Sequence, residues 1–436
     1  MKEQKINVLG KLLVVAVVFG MLTPLITNAQ RSNEARIEKL ESEIKAMKAG
    51  RPLAETGSSD FRVFWKEGLR FETPDKDFQI KFGGRIMNDW TFVGEDDDIK
   101  ADVGEQKDGT EFRRARFYTS GLINGNVEFK LQFDFAGRDA DLKDAYLGLK
   151  DFPFGRIRGG HFKEPFGLEE LTSSKYITFM ERSLAMEAFA PSRNTGLMLF
   201  DTAYDDRMTW AVGIFRDTDD DGDVRDDGGY NFTGRLTTLP VYEVDGASLI
   251  HLGIGYSHRN PNGESTRFRS RPEAHLLDRF VDTTAFASDR IDLLGLEAAW
   301  VSGPLSVQGE YVFASVDLAE TSSSSADFHG YYIQTSYFLT GEHRKYKTSA
   351  GSFSRVKPKK NFSFGGGGLG AWEVAFRYSG LDLSDSGIDG GELDTFTAGL
   401  NWHLNPNTRI MWNYIHADKD DVGNADILMT RLQIDF

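Results

Sequence analysis

The chain has 436 residues, with 66 Asp and Glu against 51 Lys and Arg and a formal net charge of −15 at pH 7. We expect no nucleic-acid partner for so acidic a chain, and the lack of cysteine excludes a fold held by disulfide bonds. The 45 glycines and 33 phenylalanines, against only 12 prolines, favour many strands and turns over helical domains.

Residues 1–29 have the features of an export signal peptide. Three lysines make a basic start, residues 12–22 form an apolar core, and residues 27–29 resemble a small-residue cleavage site. An uncleaved membrane anchor is the alternative, but Pro24 and the Thr-Asn-Ala ending favour cleavage. Removal of this segment takes away three lysines and one glutamate, so the formal charge goes from −15 to −17.

Residues 30–50 carry one amphipathic helical pattern. Its apolar positions, spaced three, four and three residues apart, are Ile37, Leu40, Ile44 and Met47. This is the a/d spacing of a coiled coil, but two heptads are too short to be stable alone. A short periplasmic coiled coil that helps subunits associate and a lone helix lying on another surface therefore both stay open. Residues 51–60 form a linker.

From residue 61 onward the chain is a series of strands. The clearest, residues 127–135, alternates apolar and polar positions, so one face is wholly apolar and the other wholly polar. The apolar face would meet a second sheet in a soluble sandwich and lipid in an outer-membrane barrel. Sixteen strands are predicted, at residues 78–92, 111–123, 125–136, 141–150, 155–162, 193–204, 207–216, 230–239, 247–258, 290–302, 304–316, 327–339, 371–380, 394–404, 407–417 and 425–436.

The connections alternate in length, as a membrane barrel requires. The pairs 124–125, 303–304 and 405–406 are tight turns. Long polar loops are predicted at residues 93–110, 163–192, 217–229, 259–289, 317–326, 381–393 and 418–424. Residues 340–370 break the alternation, because they are long yet fall on the short-turn side, and they contain four glycines in a row. The sequence gives no physical reason for that exception.

The loop at residues 163–192 is expected to be folded. Pro165 and Gly167 interrupt the strand pattern at its start, and its aromatic side chains carry too much apolar surface for a disordered tract. At the other end of the chain, Phe436 closes an amphipathic strand and resembles the terminal signal by which outer-membrane barrels are recognised for insertion.

Three stretches carry a more specific pattern. They are Phe112-Arg-Arg-Ala-Arg116 before the strand at 127–135, Asp144-Ala-Tyr-Leu147 before Gly159-Gly-His-Phe-Lys-Glu-Pro-Phe166, and Leu171-Thr-Ser-Ser-Lys-Tyr-Ile-Thr-Phe-Met-Glu-Arg182. They resemble the porin O/P family of phosphate- and pyrophosphate-selective outer-membrane porins, over residues 61–436. The resemblance implies an all-β fold: a sixteen-stranded antiparallel transmembrane β-barrel that forms homotrimers, with a third loop folded inward to narrow the pore.

The same resemblance implies the residues of the anion site. Those that match the family's binding residues are Arg113, Arg114, Ser173, Ser174 and Arg182. Arginine forks and hydroxyl donors suit phosphate oxygens. Strand alternation also places Arg114 and Arg116 on the pore side, whereas Arg113 should face outward unless a bulge turns it.

Two further features bear on the selectivity of the pore. The fifth long loop contains Arg267, Arg269 and Arg271, which resemble the family's arginine ladder and would act as an anion funnel. A solvated basic loop is the alternative. Glu170 departs from the family pattern, because phosphate-selective relatives carry a lysine just before Leu-Thr-Ser-Ser. We expect a carboxylate at the constriction to repel phosphate.

An acidic run offers a weak metal motif. Asp217, Asp219 and Asp221 match the first half of a calcium loop, but position twelve is Gly228 rather than a glutamate. A solvated acidic loop is the favoured interpretation, so structural calcium is the only cofactor suggested. No nucleophile with a neighbouring base stands out in the sequence, and we do not expect an enzyme.

The sequence therefore predicts an outer-membrane porin that lies in lipid and passes small anions, including phosphate or pyrophosphate, by diffusion. A general or weakly cation-leaning porin is the first alternative, given the net charge and Glu170. A structural barrel, tied by its helix to a periplasmic partner, is the second.

Overall fold

The computed structural model describes residues 61–219, 221–224, 228–319 and 325–436, so the predicted signal peptide, coiled-coil helix and linker lie outside the described residues. Within these ranges sixteen long strands, labelled β1 to β16, form one closed antiparallel barrel. They are β1 Gln79–Glu95, β2 Gly109–Ile123, β3 Val127–Asp134, β4 Asp141–Phe152, β5 Gly155–Lys163, β6 Arg193–Ala203, β7 Met208–Arg216, β8 Asn231–Glu243, β9 Ser248–Arg259, β10 Phe286–Ser302, β11 Leu305–Leu318, β12 Ser325–Phe338, β13 Ala371–Asp385, β14 Ile388–Asn405, β15 Thr408–Lys419 and β16 Gly423–Asp435.

Each strand pairs with the next, and β16 closes the barrel by pairing with β1. The predicted sixteen-stranded barrel is confirmed, with most strand ends within a few residues of their predicted positions. The hairpin of β13 and β14 is the clearest departure, because residues 381–393 extend both strands instead of forming a loop. Leu381, Leu383 and Leu393 explain this extension, since all three are buried in an apolar cluster.

The barrel exposes many apolar side chains on its outer face and buries polar ones inside, which is the opposite of a soluble protein. On β16 the side chain of Leu432 is 49% exposed, whereas that of its neighbour Arg431 is fully buried. The clearest predicted strand, β3, follows the same rule, because Leu131 is exposed and Gln132 is buried. An apolar outer face with a polar inner face is the pattern of a barrel surrounded by lipid.

The remaining regular elements are short. The helices are α1 Asp97–Val103, α2 Leu168–Leu171 and α3 Leu184–Phe189, and the 3₁₀ turns are Val244–Gly246 and Thr348–Ala350. A hairpin of Arg62–Trp65 and Leu69–Glu72 pairs with the start of β1 through its second strand. Two-residue strands lie at Ser265–Thr266, Arg269–Ser270, Val281–Asp282, Tyr346–Lys347 and Ser352–Phe353. None of the helices in the described part of the chain is long and apolar enough to cross a membrane.

Residues 164–192, which connect β5 to β6, contact strands far from their own position in the barrel. Backbone carbonyl groups of this segment accept hydrogen bonds from inner-face side chains: Thr178 from Asn401 of β14 at 2.8 Å and Ile177 from Arg409 of β15 at 2.8 Å. These bonds satisfy carbonyl groups that would otherwise be buried without partners.

The apolar side chains of the same segment pack on an apolar part of the inner wall. Phe166 and α3 belong to one cluster with inner-face residues of β10 to β14. Phe166 lies over the paired glycines Gly255 and Gly295, where an added Cβ atom would come within 3.1 Å and 2.9 Å of its ring. Two adjacent strands thus leave out their side chains at the point where the ring makes contact.

The long connection at 340–370 has two parts. In the first, Arg344 donates to Gln308 of β11 at 2.9 Å, and the Tyr346 hydroxyl group lies 2.8 Å from His251 of β9. Arg355 pairs with the carboxylate of Asp435. The connection is therefore long partly because it runs against inner-face side chains before it returns to the wall at β13.

Candidate functional site

A cavity of about 1140 Å³ lies along the inner face of β1 to β10. Sixteen Lys and Arg residues line it, against six Asp and Glu. The charge of this wall is thus opposite in sign to the −15 of the whole chain. A water-filled space with low-dielectric walls and fixed positive charge concentrates anions.

Arg113 and Arg114 are brought together by a β-bulge. In the β1–β2 pairing Met87 opposes Arg114 and the next residue, Asn88, opposes Phe112, so Arg113 is the extra residue. The structure contains the bulge that the sequence analysis allowed for, and Arg113 therefore lines the cavity with Arg114 instead of facing outward. Arg113 makes two hydrogen bonds to Glu181, at 3.0 and 2.9 Å, and Arg114 lies 3.5 Å from the same carboxylate.

The hydroxyl groups of Ser173 and Ser174 both contact Arg85, which the sequence analysis did not assign to the site. The Ser174 hydroxyl group accepts a hydrogen bond from Arg85 at 2.6 Å, and that of Ser173 lies 3.4 Å from the same nitrogen atom. Arg116 lines the cavity as expected and pairs with Asp134 at 2.6 Å. The predicted residues on β2 and the third loop thus line one wall, with Arg85 between them.

Arg182 is held by the carboxylate that departs from the family pattern. Its Nε atom lies 2.8 Å from Glu170, and Lys163 lies 2.6 Å from the other oxygen atom. Burial alone would raise the pKa of Glu170, but Arg182 and Lys163 outweigh it and lower that pKa to about 2. Glu170 is therefore ionised, and the formal charge of this trio is +1. The sequence suggested that Glu170 is a carboxylate that repels phosphate, but in the structure it is paired with two cations.

The arginines of the fifth loop are not equivalent. Arg267 and Arg269 line the cavity, and Arg267 also makes two 2.6 Å hydrogen bonds to Asp282. Arg271 does not line this cavity, since it pairs with Glu187 at 3.1 Å and donates to a backbone carbonyl group of its own loop. The geometry thus leaves two of the three predicted funnel arginines at the cavity.

The acidic run at 217–223 has protein partners. Asp217 pairs with Arg259, and Asp219 accepts hydrogen bonds from the backbone N–H groups of Asp221 and Asp223. Among the described residues no group of three or more His, Asp or Glu side chains could hold a metal ion. Because residue 220 and residues 225–227 of this loop are not described, calcium stays a prediction.

Sequence reasoning missed several basic residues of the same wall. They are Arg85, Lys130, Arg156, Arg158, Lys163 and Arg193. A usable signal exists for Arg85, because Ile86, Trp90 and Phe92 give β1 an apolar outer face and so place Arg85 inside. The same alternation could have been applied to Lys130 on β3 and to Arg156 and Arg158 on β5. It would have failed for Lys163 and Arg193, which are paired at strand ends and share the parity of the exposed Leu197.

The family model described as phosphate-selective porin O and P matches residues 80–436. The chain belongs to this family. Porin O of Pseudomonas aeruginosa is 28% identical over an alignment of 433 residues, which covers 87% of this chain and 94% of that protein. An uncharacterised protein of Caulobacter vibrioides is 32% identical over 414 residues, which cover 89% of this chain and 80% of that protein.

Two solved structures share the fold of this porin. The anion-selective porin from Comamonas acidovorans has 12% identity and a TM-score of 0.53, with 82% of this chain and 100% of that chain covered. Salmonella typhi OmpF in complex with daunomycin has 13% identity and a TM-score of 0.55, with coverages of 86% and 100%. Family and fold together identify a porin of the outer membrane of a Gram-negative-type cell.

Proposed function

We propose that this porin conducts small anions by passive diffusion through the basic cavity, which residues 163–192 narrow. The charge of the cavity wall carries the proposal, since Lys and Arg outnumber Asp and Glu there by sixteen to six. Charges on external loops are largely screened beyond about 8–10 Å at physiological salt, whereas charges in a narrow pore are screened less. The pore wall, rather than the acidic total, should therefore set selectivity.

Phosphate is the solute that the family description supports, and the sequence resemblance adds pyrophosphate. Its contact residues would be Arg85, Arg113, Arg114, Arg116, Ser173 and Ser174. Two carboxylates, Glu181 and Asp134, already occupy much of the donor capacity of these arginines. An entering phosphate would share donors with them, so we expect weak and short-lived binding that favours passage over retention.

Reversal potentials of the purified protein in planar bilayers test this function. Under a salt gradient we expect a potential of the sign that marks anion preference, and we expect added phosphate to reduce the chloride current. A preference for cations would favour the general-porin alternative. A barrel that carries no current would favour the structural alternative.

We further propose a homotrimer that rests on barrel-to-barrel packing, since the predicted a/d seam has only two heptads. Deletion of residues 31–50 should then leave a trimer that survives in detergent. A clean shift to monomers would show that the predicted coiled coil holds the subunits together.

A further inference from the structure

The second part of the long connection forms a small hairpin at residues 361–370, here called the rim hairpin. It is attached to the end of β14, because the N–H group of Phe362 donates to the Leu404 carbonyl oxygen at 2.7 Å. A bridge between Ser363 and Gly368 closes the hairpin, and Gly366 at its tip has a φ of +85°. This left-handed conformation accounts for part of the glycine run, since glycine adopts it without strain.

The rim hairpin continues the outer, apolar surface of the barrel. Trp372 and Trp402 are paired on β13 and β14 and stack with ring centroids 4.9 Å apart. They point outward, because their neighbours Glu373 and His403 are buried inside. Phe362 packs against Trp402 at 4.8 Å, and its own neighbour on the hairpin is Phe364 at the same distance.

The tip of the rim hairpin is apolar and unprotected. The Phe364 side chain is 99% exposed, and Leu369 of the hairpin and Leu339, whose N–H group donates to the Trp372 carbonyl oxygen, are also exposed. Aromatic residues at the ends of barrel strands are typical of the interface between membrane and water. An apolar tip next to two stacked tryptophans therefore fits the headgroup region better than open solvent.

Three lysines precede this apolar tip. Lys357, Lys359 and Lys360 are exposed, and residues 356–362 contain no acidic residue. Asp245 and Glu342 are carboxylates close to this segment. Asp245 is already paired with Lys345, and the buried Glu342 accepts a hydrogen bond from the backbone N–H group of Lys359 at 2.9 Å. In a chain with fifteen more acidic than basic side chains, this exposed group of like positive charges is complementary to an anionic ligand.

We propose that the rim hairpin and these three lysines bind the headgroup of an anionic phospholipid. The hairpin lies on the short-turn rim, which faces the periplasm in outer-membrane barrels. Phe364 inserts among the acyl chains, the tryptophans lie at headgroup level, and the lysine ammonium groups contact the lipid phosphate. The length of the 340–370 connection then serves two purposes, one inside the barrel and one at its outer edge.

The absence of cysteine allows a direct test of the insertion. A Phe364→Cys variant carrying a polarity-sensitive fluorophore is reconstituted, as the full-length porin, into phosphatidylcholine vesicles with and without phosphatidylglycerol. We expect blue-shifted emission and quenching by nitroxide-labelled lipid. The matched control is Asn126→Cys, an exposed position on a tight turn of the same rim, which should show neither effect. A Phe364→Cys label that is quenched only by aqueous iodide would overturn the insertion.

A second pair of variants tests the lysines. Replacement of Lys357, Lys359 and Lys360 by serine should raise the Kd for phosphatidylglycerol by at least about tenfold, since each surface lysine contributes to anionic-lipid affinity. The control replaces three other exposed lysines near this rim, Lys66, Lys76 and Lys150, and should change the Kd by less than about twofold. Unchanged channel conductance shows that both variants fold.

The remaining results would each overturn the proposal. An equal Kd in the two lysine variants would show that these lysines do not recognise the headgroup. Burial of the Phe364→Cys label in lipid-free detergent, with disulfide crosslinks between subunits of the unlabelled Phe364→Cys variant, would assign the hairpin to contacts within the oligomer instead.

Discussion

Neutralising Glu170 should make the pore more selective for anions. This carboxylate lies between Lys163 and Arg182, at 2.6 and 2.8 Å, on the wall of the basic cavity. The substitution Glu170→Gln keeps the shape of the side chain and raises the formal charge of the trio from +1 to +2. Arg182 should stay in place, because it also donates to the backbone carbonyl oxygens of Glu169, Glu170 and Thr172.

The size of the effect follows from Coulomb's law. One added unit charge changes the energy of a monovalent ion by about 0.7 kcal/mol at a distance of about 6 Å and a dielectric constant of about 80. An anion gains what a cation loses, so the ratio of their permeabilities should change by about 1.4 kcal/mol, or about tenfold. A lower effective dielectric constant in the narrowed pore would make the change larger.

The measurement is the reversal potential of single channels in planar bilayers under a potassium chloride gradient. The matched control is Glu187→Gln, since Glu187 belongs to the same loop and pairs with Arg271 but does not line the cavity. We expect no change of selectivity in this control. An unchanged permeability ratio in Glu170→Gln, or an equal rise in the control, would refute the idea that the trio faces permeating ions.

Three further predictions concern the same loop. Arg182→Ala lowers the formal charge of the trio to zero and should move the reversal potential toward cations, whereas Asp221→Ala, at a residue that does not line the cavity, should barely move it. Burial, together with the neighbouring Arg85 and Arg355, lowers the pKa of Lys175 to about 7, although Asp435 acts in the opposite direction. Lys175 therefore binds its proton less tightly in the folded porin than in the unfolded chain, so the melting temperature in detergent should rise as the pH increases from about 7 to about 10, and Lys175→Met should reduce the size of this rise. Gly295→Val places a side chain against the Phe166 ring at a cost of about 1–3 kcal/mol and should increase open-channel current noise by loosening the loop. Gly94→Val, where no atom lies within 4 Å of an added Cβ, should leave the noise unchanged.

The barrel was predictable because its pattern repeats along the chain. Alternation of polar and apolar residues fixes which face of a strand meets lipid, and glycine-containing turns fix where strands end. The extension of β13 and β14 was not predictable, because Leu381, Leu383 and Leu393 gain their burial only from distant segments packed inside the barrel. Local polarity made residues 381–393 resemble a loop, and tertiary packing made them strands.

Many residues of the site were predictable, but others such as Arg85 and Lys163 were missed, and the ion pairs were not predictable. Alternation correctly placed Arg114 and Arg116 on the cavity side, and it failed at Arg113 only because a bulge shifts the register by one residue. The sequence could not show that Glu181 would bind the Arg113 guanidinium group, since these residues are 68 positions apart. Nor could it show that Glu170 would meet Lys163 and Arg182 rather than a passing anion.

Shared carboxylates explain how this wall stays positive while its arginines are held in place. Glu128 binds Arg156 and Arg158, Asp144 binds Lys130 and Arg193, and Glu170 binds Lys163 and Arg182. In each group one carboxylate serves two cations, so both cations are positioned and a charge of about +1 is left over. A lone guanidinium group at these positions would be free to swing into the pore and bind phosphate strongly. Two cations that share one carboxylate still attract an anion, but they offer it fewer free hydrogen-bond donors. This arrangement favours rapid passage over tight binding.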